Sequence, residues 1–170
     1  QVSYAFDAVG LVARCKHALR YGAVVLQEYF GGDGVGVELI ADQGAIHYAF
    51  QHRRLHEVPL TGGGSSLRVS EPLNPRLLEA SAALIGALQW HGVAMVELKL
   101  DPQAGAFCLM EINGRFWGSL PLANAAGADV PAMLAQLELK ERIGNFPDHR
   151  PGVYCPLLAS NILRLEPLIR

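Results

Sequence analysis

Two carboxylates, an amide and a guanidinium stand in this chain at spacings that suit one site. Glu97 and Glu111 lie in two apolar runs, residues 93–100 and 107–113, separated by Asp101-Pro102-Gln103-Ala104-Gly105-Ala106. Those six residues have the turn chemistry of a longer hairpin loop, so the runs are expected to pair as antiparallel strands. Glu97 and Glu111 are symmetric about Ala104. A symmetric loop makes them direct cross-strand neighbours, and any even-sum register keeps them on one face together with Asn113. The other face then carries Ala94, Val96, Leu98 and Leu100 from the first strand and Cys108, Met110 and Ile112 from the second, all suited to packing under a helix. Opposed carboxylates repel, and a stable sheet needs a proton, a cation or a strong donor between them. Carboxylate oxygens and an amide carbonyl are hard ligands suited to magnesium, which takes one or two protein carboxylates and completes its shell with water and phosphate oxygens. Nucleotide phosphates are the natural co-ligand. Arg115, two residues beyond Asn113, would contact phosphate oxygens and stabilise charge developing in phosphoryl transfer. On residue types alone the alternative stays open that Glu97 pairs with Lys99 or a surface arginine, and that Glu111 only edges a strand.

Such a hairpin needs a helix beneath it and strands beside it. Asn74-Pro75 reads as a cap followed by proline in the first turn, and Leu77, Leu78, Ile85 and Leu88 continue a buried helical stripe up to Gly92. Residues 35–41 and 45–52 favour strands joined by the turn Asp42-Gln43-Gly44, an antiparallel hairpin. Residues 7–20 place Leu11, Val12, Cys15 and Leu19 at helical spacing, with Gly22 past the end. Residues 23–30, Ala-Val-Val-Leu-Gln-Glu-Tyr-Phe between Gly22 and Gly31, suit a buried strand. The glycines of residues 31–36 do not satisfy G-x-G-x-x-G and read as a hairpin turn. Thr61-Gly62-Gly63-Gly64-Ser65-Ser66 reads as a mobile loop, either a cover over phosphates or a solvent loop, without the lysine of a Walker A motif. Helices are expected near residues 120–126 and 130–140, followed by an irregular, Pro-rich end.

Composition narrows the partners. With 170 residues, 51% apolar, 18% charged and a net charge of -2, the chain is neither a disordered segment nor a basic nucleic-acid module. The charged fraction is below the roughly 25% usual for soluble domains, which leaves apolar surface to rest against something else. Cys15, Cys108 and Cys155 are far apart and odd in number, so neither a disulfide framework nor a zinc knuckle is indicated, and a reducing cytoplasm is the simplest setting. No apolar stretch approaches the ~20 residues that span a bilayer, and the first ten residues lack a signal-peptide pattern. His52 and His56 lack the surroundings of a zinc site. Trp90, Trp117 and Phe116 read as packing residues, and Cys108 as an inert thiol on the apolar face.

The segment Met110-Glu111-Ile112-Asn113-Gly114-Arg115-Phe116-Trp117-Gly118, preceded by Gly92-Val93-Ala94-Met95-Val96-Glu97, resembles the C-terminal signature of the ATP-grasp superfamily, closest in wording to its carbamoyl-phosphate-synthetase-like group, with biotin carboxylase and D-alanine:D-alanine ligase as other members. The likeness reaches back to Val25-Leu26-Gln27-Glu28-Tyr29-Phe30, which looks like the adenine-holding hinge strand, and forward to about Pro131. It implies an α+β fold with a central antiparallel sheet flanked by helices, and ATP phosphorylating a small carboxylate to an acylphosphate that an amine or other nucleophile attacks. Glu97, Glu111 and Asn113 then resemble the Mg2+ (or Mn2+) ligands, and Arg115 the arginine near the transferred group. Gln27, Glu28, Tyr29 and Phe30 resemble the adenine-side residues, while Gln51, Arg53 and Arg54 follow a strand where relatives place phosphate- or substrate-facing groups. Arg53 and Arg54 point to opposite faces if extended, so one of them is expected to reach the site. Gly114 stands where many relatives have proline, which is expected to loosen the turn.

The resemblance further implies that the family's lysine-bearing strand, its glycine-rich loop and its preceding domain are missing from this chain. The expected organisation is a remnant of the small ATP-binding subdomain over about residues 1–34, the large metal-bearing subdomain over 35–145, and an extension over 146–170. Its partners would be ATP, the two substrates, the N-terminal half of its own protein and, for the spare apolar surface, a second copy in a homodimer. The isolated chain is expected to be inactive, and a non-catalytic module that binds a nucleotide or a partner is the alternative to a ligase.

Overall fold

Most of the apolar runs pair into one antiparallel sheet, in a computed structural model that describes residues 2–58, 64–139 and 147–157. The expectations for residues 61–63, for residue 140 and for the end beyond residue 157 fall outside the described residues. The chain divides at Phe30/Gly31 into two compact units.

In the first unit, Asp7 caps helix α1 (Ala8–Ala18) by accepting from the Gly10 amide at 2.7 Å, and Lys16 and His17 sit in the last turn where the helix dipole favours cations. The sequence pattern is amphipathic, yet no residue of α1 is buried. The strand expected over residues 23–30 does not form: Val25, Leu26 and Tyr29 are exposed, and Tyr29 stands edge-on to Tyr4 at 5.8 Å between ring centroids. Apolar residues supply strand propensity, but backbone N–H and C=O groups become a strand only when a neighbouring strand accepts them.

The second unit is built on β1 (Asp33–Asp42), β2 (Ala45–Val58), β3 (Gly64–Glu71), β4 (Gly92–Leu100), β5 (Phe107–Asn113) and β6 (Tyr154–Pro156), in spatial order β5-β4-β1-β2-β3-β6. Every pairing is antiparallel. The turn between β1 and β2 places Gln43 and Gly44 at φ 46° and 85°, which turns the strands tightly enough for Asp42 to pair with Ala45. Two sequence expectations are corrected here. Gly34 and Gly36 belong to β1 and make no turn, and Gly64, Ser65 and Ser66 open strand β3 where a loop was expected. β6, within the segment expected to be an extension, is the sixth strand of the sheet.

Helix α2 (Pro75–Ala87), capped by Asn74, lies on one face. Its Leu77 and Ile85 pack with Val35, Val37, Leu39, Ala94, Val96 and Leu98, all on alternate positions of the adjacent strands β1 and β4. On the other face α3 (Leu120–Ala125) and α4 (Val130–Glu138) pack Leu122, Ala123, Val130 and Met133 against Ile40, Phe50, Val93 and Met95. That second core stops partway along the strands. On the same face β1 continues from Ile40 to Glu38, Gly36 and Gly34, β4 from Met95 to Glu97 and Lys99, and β2 from Phe50 to His52 and Arg54. β2 and β4 thus change from apolar to polar at one level, at His52 and Glu97, and β1 one pair earlier at Glu38, which divides the face into a core and a site.

Candidate metal and phosphate site

Glu97 and Glu111 are direct cross-strand partners, as expected, although the loop closes one residue off the expected symmetry, with Leu100 opposite Phe107, and the pairing is restored by an extra residue in the second strand. Asp101 fixes that loop: its side chain accepts from Gln103 and Ala104, and its backbone pairs with Ala106. The register slips immediately afterwards, because Leu98 pairs with Leu109 and Met110 is left over as a β-bulge. The bulge reverses the expected facing of residues 107–109. Cys108 stands opposite Lys99 on the carboxylate face, contrary to its expected place on the apolar one, while Phe107 packs with the core under α2 and Met110 is exposed. An extra residue shifts the side-chain alternation by one, which no count of apolar positions anticipates.

Between the two carboxylates lies the Asn113 amide, whose nitrogen donates to Glu111 Oε1 at 2.9 Å and to Glu97 Oε1 at 3.2 Å. Its oxygen accepts from Arg115 Nη2 at 3.0 Å. Arg54 donates to Glu97 Oε2, so the sequence alternative of an arginine partner for Glu97 holds in part, whereas Lys99 turns to Glu57 at 3.4 Å. The donors between the carboxylates occupy the position a small cation would take, and the donor set of two carboxylates and an amide oxygen fits magnesium or manganese. Among the described residues no three His, Cys, Asp or Glu stand close enough together to hold a metal ion.

Beside this acidic row runs a cationic one. Lys99 pairs with Gly34, and Arg54 of the neighbouring strand pairs with Arg68 of β3. Gly34 gives the row its clearance, since a Cβ there would lie 2.9 Å from Arg54 Cδ and 2.8 Å from Glu57 Oε1. Arg68 is nearly buried, and its guanidinium donates to Gly118 O and Ser65 O, both at 2.9 Å. Burial pushes the Arg68 guanidinium below its usual value, and the nearby Arg54 charge acts in the same direction. Among the described residues its hydrogen bonds go to carbonyl oxygens, which leave its charge without a directly bonded carboxylate.

One level down, Gly36 pairs with both Glu97 and His52. His52 Nδ1 meets Glu38 Oε1 at 2.5 Å with both side chains buried, and the Ser119 hydroxyl donates to Glu38 at 3.2 Å. A Cβ on Gly36 would come within 2.8 Å of both His52 Nδ1 and Glu38 Oε1, so glycine makes room for this pair. Ser119 opens α3 without capping it, because its side chain is used on Glu38. Together with the Arg68 bond to Gly118, this pins the far end of the loop that carries Arg115.

Of the residues singled out in the sequence, Glu97, Glu111, Asn113, Arg115 and Arg54 are brought together. Arg53 and Gln51 are not: they share the α2 face, where Arg53 Nε binds Glu71 at 2.5 Å and Gln51 accepts from the Asn74 amide at 2.8 Å. Successive strand residues point to opposite faces, which separates Arg53 from Arg54. Gln27, Glu28, Tyr29 and Phe30 belong to the first unit. Arg68, Glu38 and Ser119 escaped the sequence reading, and His52 was weighed there only against a zinc site. The one signal for Arg68 is a lone charge amid the short apolar alternation Leu67-Arg68-Val69.

Two opposed carboxylates with an amide between them thus stand beside a row of cations on one face of an antiparallel sheet. Residues 20–156 match the model of the family described as ATP-grasp in the biosynthetic pathway with Ter operon, and the chain belongs to that family. Solved structures share the fold. The biotin carboxylase domain of a thermophilic 2-oxoglutarate carboxylase bound to bicarbonate is 16% identical with a TM-score of 0.65, over 87% of this chain and 36% of that one. D-alanine–D-alanine ligase from Bacillus anthracis complexed with ATP is 21% identical with a TM-score of 0.52, over 79% and 48%. L-amino acid ligase from Bacillus licheniformis is 18% identical with a TM-score of 0.55, over 74% and 33%. This chain therefore spans between a third and a half of the length of these three. No curated protein sequence matches it.

Proposed function

We propose that this site serves an ATP- and Mg2+-dependent ligation in which a carboxylate is activated as an acylphosphate and then attacked by an amine or another nucleophile. The supporting observation is the direct opposition of Glu97 and Glu111 with the Asn113 amide between them, next to Arg54, Lys99 and Arg68. Glu97, Glu111 and Asn113 would hold the metal, which when bound neutralises phosphate charge and orients the transferred group. Arg115 and Arg54 contact phosphate oxygens, and Arg68 orients the carboxylate or acylphosphate. No side-chain nucleophile is needed, because phosphoryl transfer is driven by positioning and charge neutralisation. Gln27, Glu28, Tyr29 and Phe30 are the adenine-side residues in this reading, which rests there on the family resemblance. Among the described residues no helix is long and apolar enough to cross a membrane, and all three cysteines are free thiols, which fits a reducing cytoplasm.

Calorimetric titration with ATP, with and without Mg2+, tests the reading. Metal-dependent binding that disappears in Glu111→Ala is the expected result, with an unchanged circular dichroism spectrum because Glu111 is exposed. Equal binding by the variant and the parent chain would overturn it.

A further inference from the structure

Trp90 reads in the sequence as a packing residue, and the structure gives it a second task. It leaves α2 through Gln89, a non-glycine residue held at φ 48°, a conformation that L side chains seldom adopt. Its polar groups are all tied down: the Trp90 amide donates to Ile85 O at 3.1 Å, its carbonyl accepts from Gly44 at 2.8 Å, and its indole Nε1 donates to Val93 O at 3.1 Å. The ring packs on the core under α2. Its far edge rests against Gly114, where an added Cβ would lie 2.6 Å from Cζ2 and closer still to Cη2.

Gly114 is the residue between Asn113 and Arg115. With no side chain at 114, the backbone lies directly on an immobile aromatic edge, and the turn is set by contact where a proline would set it by its ring. The glycine therefore does not loosen this turn. The Asn113 amide reaches both carboxylates only over 2.9 and 3.2 Å, so a shift of the backbone by about 1 Å would break one of those contacts.

We propose that Trp90 is a positioning residue that sets Asn113 and Arg115 against Glu97 and Glu111 by bracing the backbone of Gly114. This rests on the Mg2+–ATP reading above. The test uses Mn2+ with ATP as probe and follows bound Mn2+ by electron paramagnetic resonance. Gly114→Ala, at an exposed position, is expected to fold normally and to weaken Mn2+ binding about tenfold or more, the size seen when groups that orient metal ligands are lost. Trp90→Phe removes the ring edge that the new methyl would strike while keeping an aromatic in the core. Combined with Gly114→Ala, it is expected to recover most of the lost affinity, a rescue that a purely structural role for Trp90 would not produce. Unchanged affinity in Gly114→Ala, or a double variant no better than Gly114→Ala, would overturn the proposal while leaving the Mg2+–ATP reading in place. A parent chain that binds no Mn2+ in the presence of ATP would remove both.

Discussion

Glu38 and His52 are the most deeply placed ionisable pair described in the molecule, each about 1% exposed, and they meet at 2.5 Å beneath the site face. Removing one member of a buried pair leaves the other without a partner in a medium that solvates it poorly, at a cost of roughly 3–5 kcal/mol. Glu38→Leu is therefore expected to lower the free energy of unfolding by that order in a urea titration, far more than Glu111→Ala at its exposed position. A loss below about 1 kcal/mol would show that the pair is not a structural tie. Ser119 transmits the consequence. Its hydroxyl binds Glu38, so the variant should also free the start of α3 and the loop that leads back to Arg115. His52, set aside as a zinc ligand on its sequence surroundings, has its ring nitrogen committed to a carboxylate within the fold.

Elements are tied to one another by groups far from the site as well. His91, just before β4, bridges Asp42 at the end of β1 at 2.9 Å and Glu138 at the end of α4 at 3.3 Å. Its pKa is raised above the ordinary 6.5, chiefly by the hydrogen bond to Asp42 and further by the charge of Glu138. A raised pKa in the folded state means that the imidazolium form stabilises the fold. That contribution is complete below about pH 6.5, provided the two carboxylates remain ionised, and is lost as pH rises through the raised value. Melting temperatures measured from pH 5.5 to 9 should accordingly fall for the parent chain and fall less for His91→Ala. Parallel curves would show that the bridge contributes nothing, as many exposed ion pairs do. The bulge at Met110 is a second element-scale device: it lets Phe107 reach the core while Glu111 stays opposite Glu97, two demands that a regular β5 cannot meet together.

At the scale of the whole molecule, both hydrophobic clusters belong to the second unit, whereas α1 buries none of its residues. A chain beginning at Gly31 is therefore expected to fold cooperatively, with a single sigmoidal urea transition and the circular dichroism of the sheet retained. A molten, non-cooperative transition would show that the second unit lacks a sufficient core.

Local signals made much of this architecture legible. The Asn74-Pro75 cap, the Asp42-Gln43-Gly44 turn and the Asp101 loop act through contacts within a few residues, so their elements appear close to where periodicity and turn chemistry place them. The strand over residues 23–30 was not legible, because an apolar run does not say whether a partner edge exists.

By itself, the sequence determined the β4–β5 hairpin and, through a period of two, that Glu111 and Asn113 share a face, while the pairing of Glu97 with Glu111 is completed by the bulge at Met110. Tertiary structure alone decided the rest of the site. Lys99, Arg54 and Arg68 come from three strands that become neighbours only through sheet order, and the bulge at Met110 settles which face Cys108 joins. The brace of Trp90 on Gly114 is likewise a contact between segments that no local pattern links. Register and strand order are set by burying Val35, Val37, Val96 and Phe50 on the two faces of one sheet, an energy summed over the whole core and therefore invisible to any window of sequence.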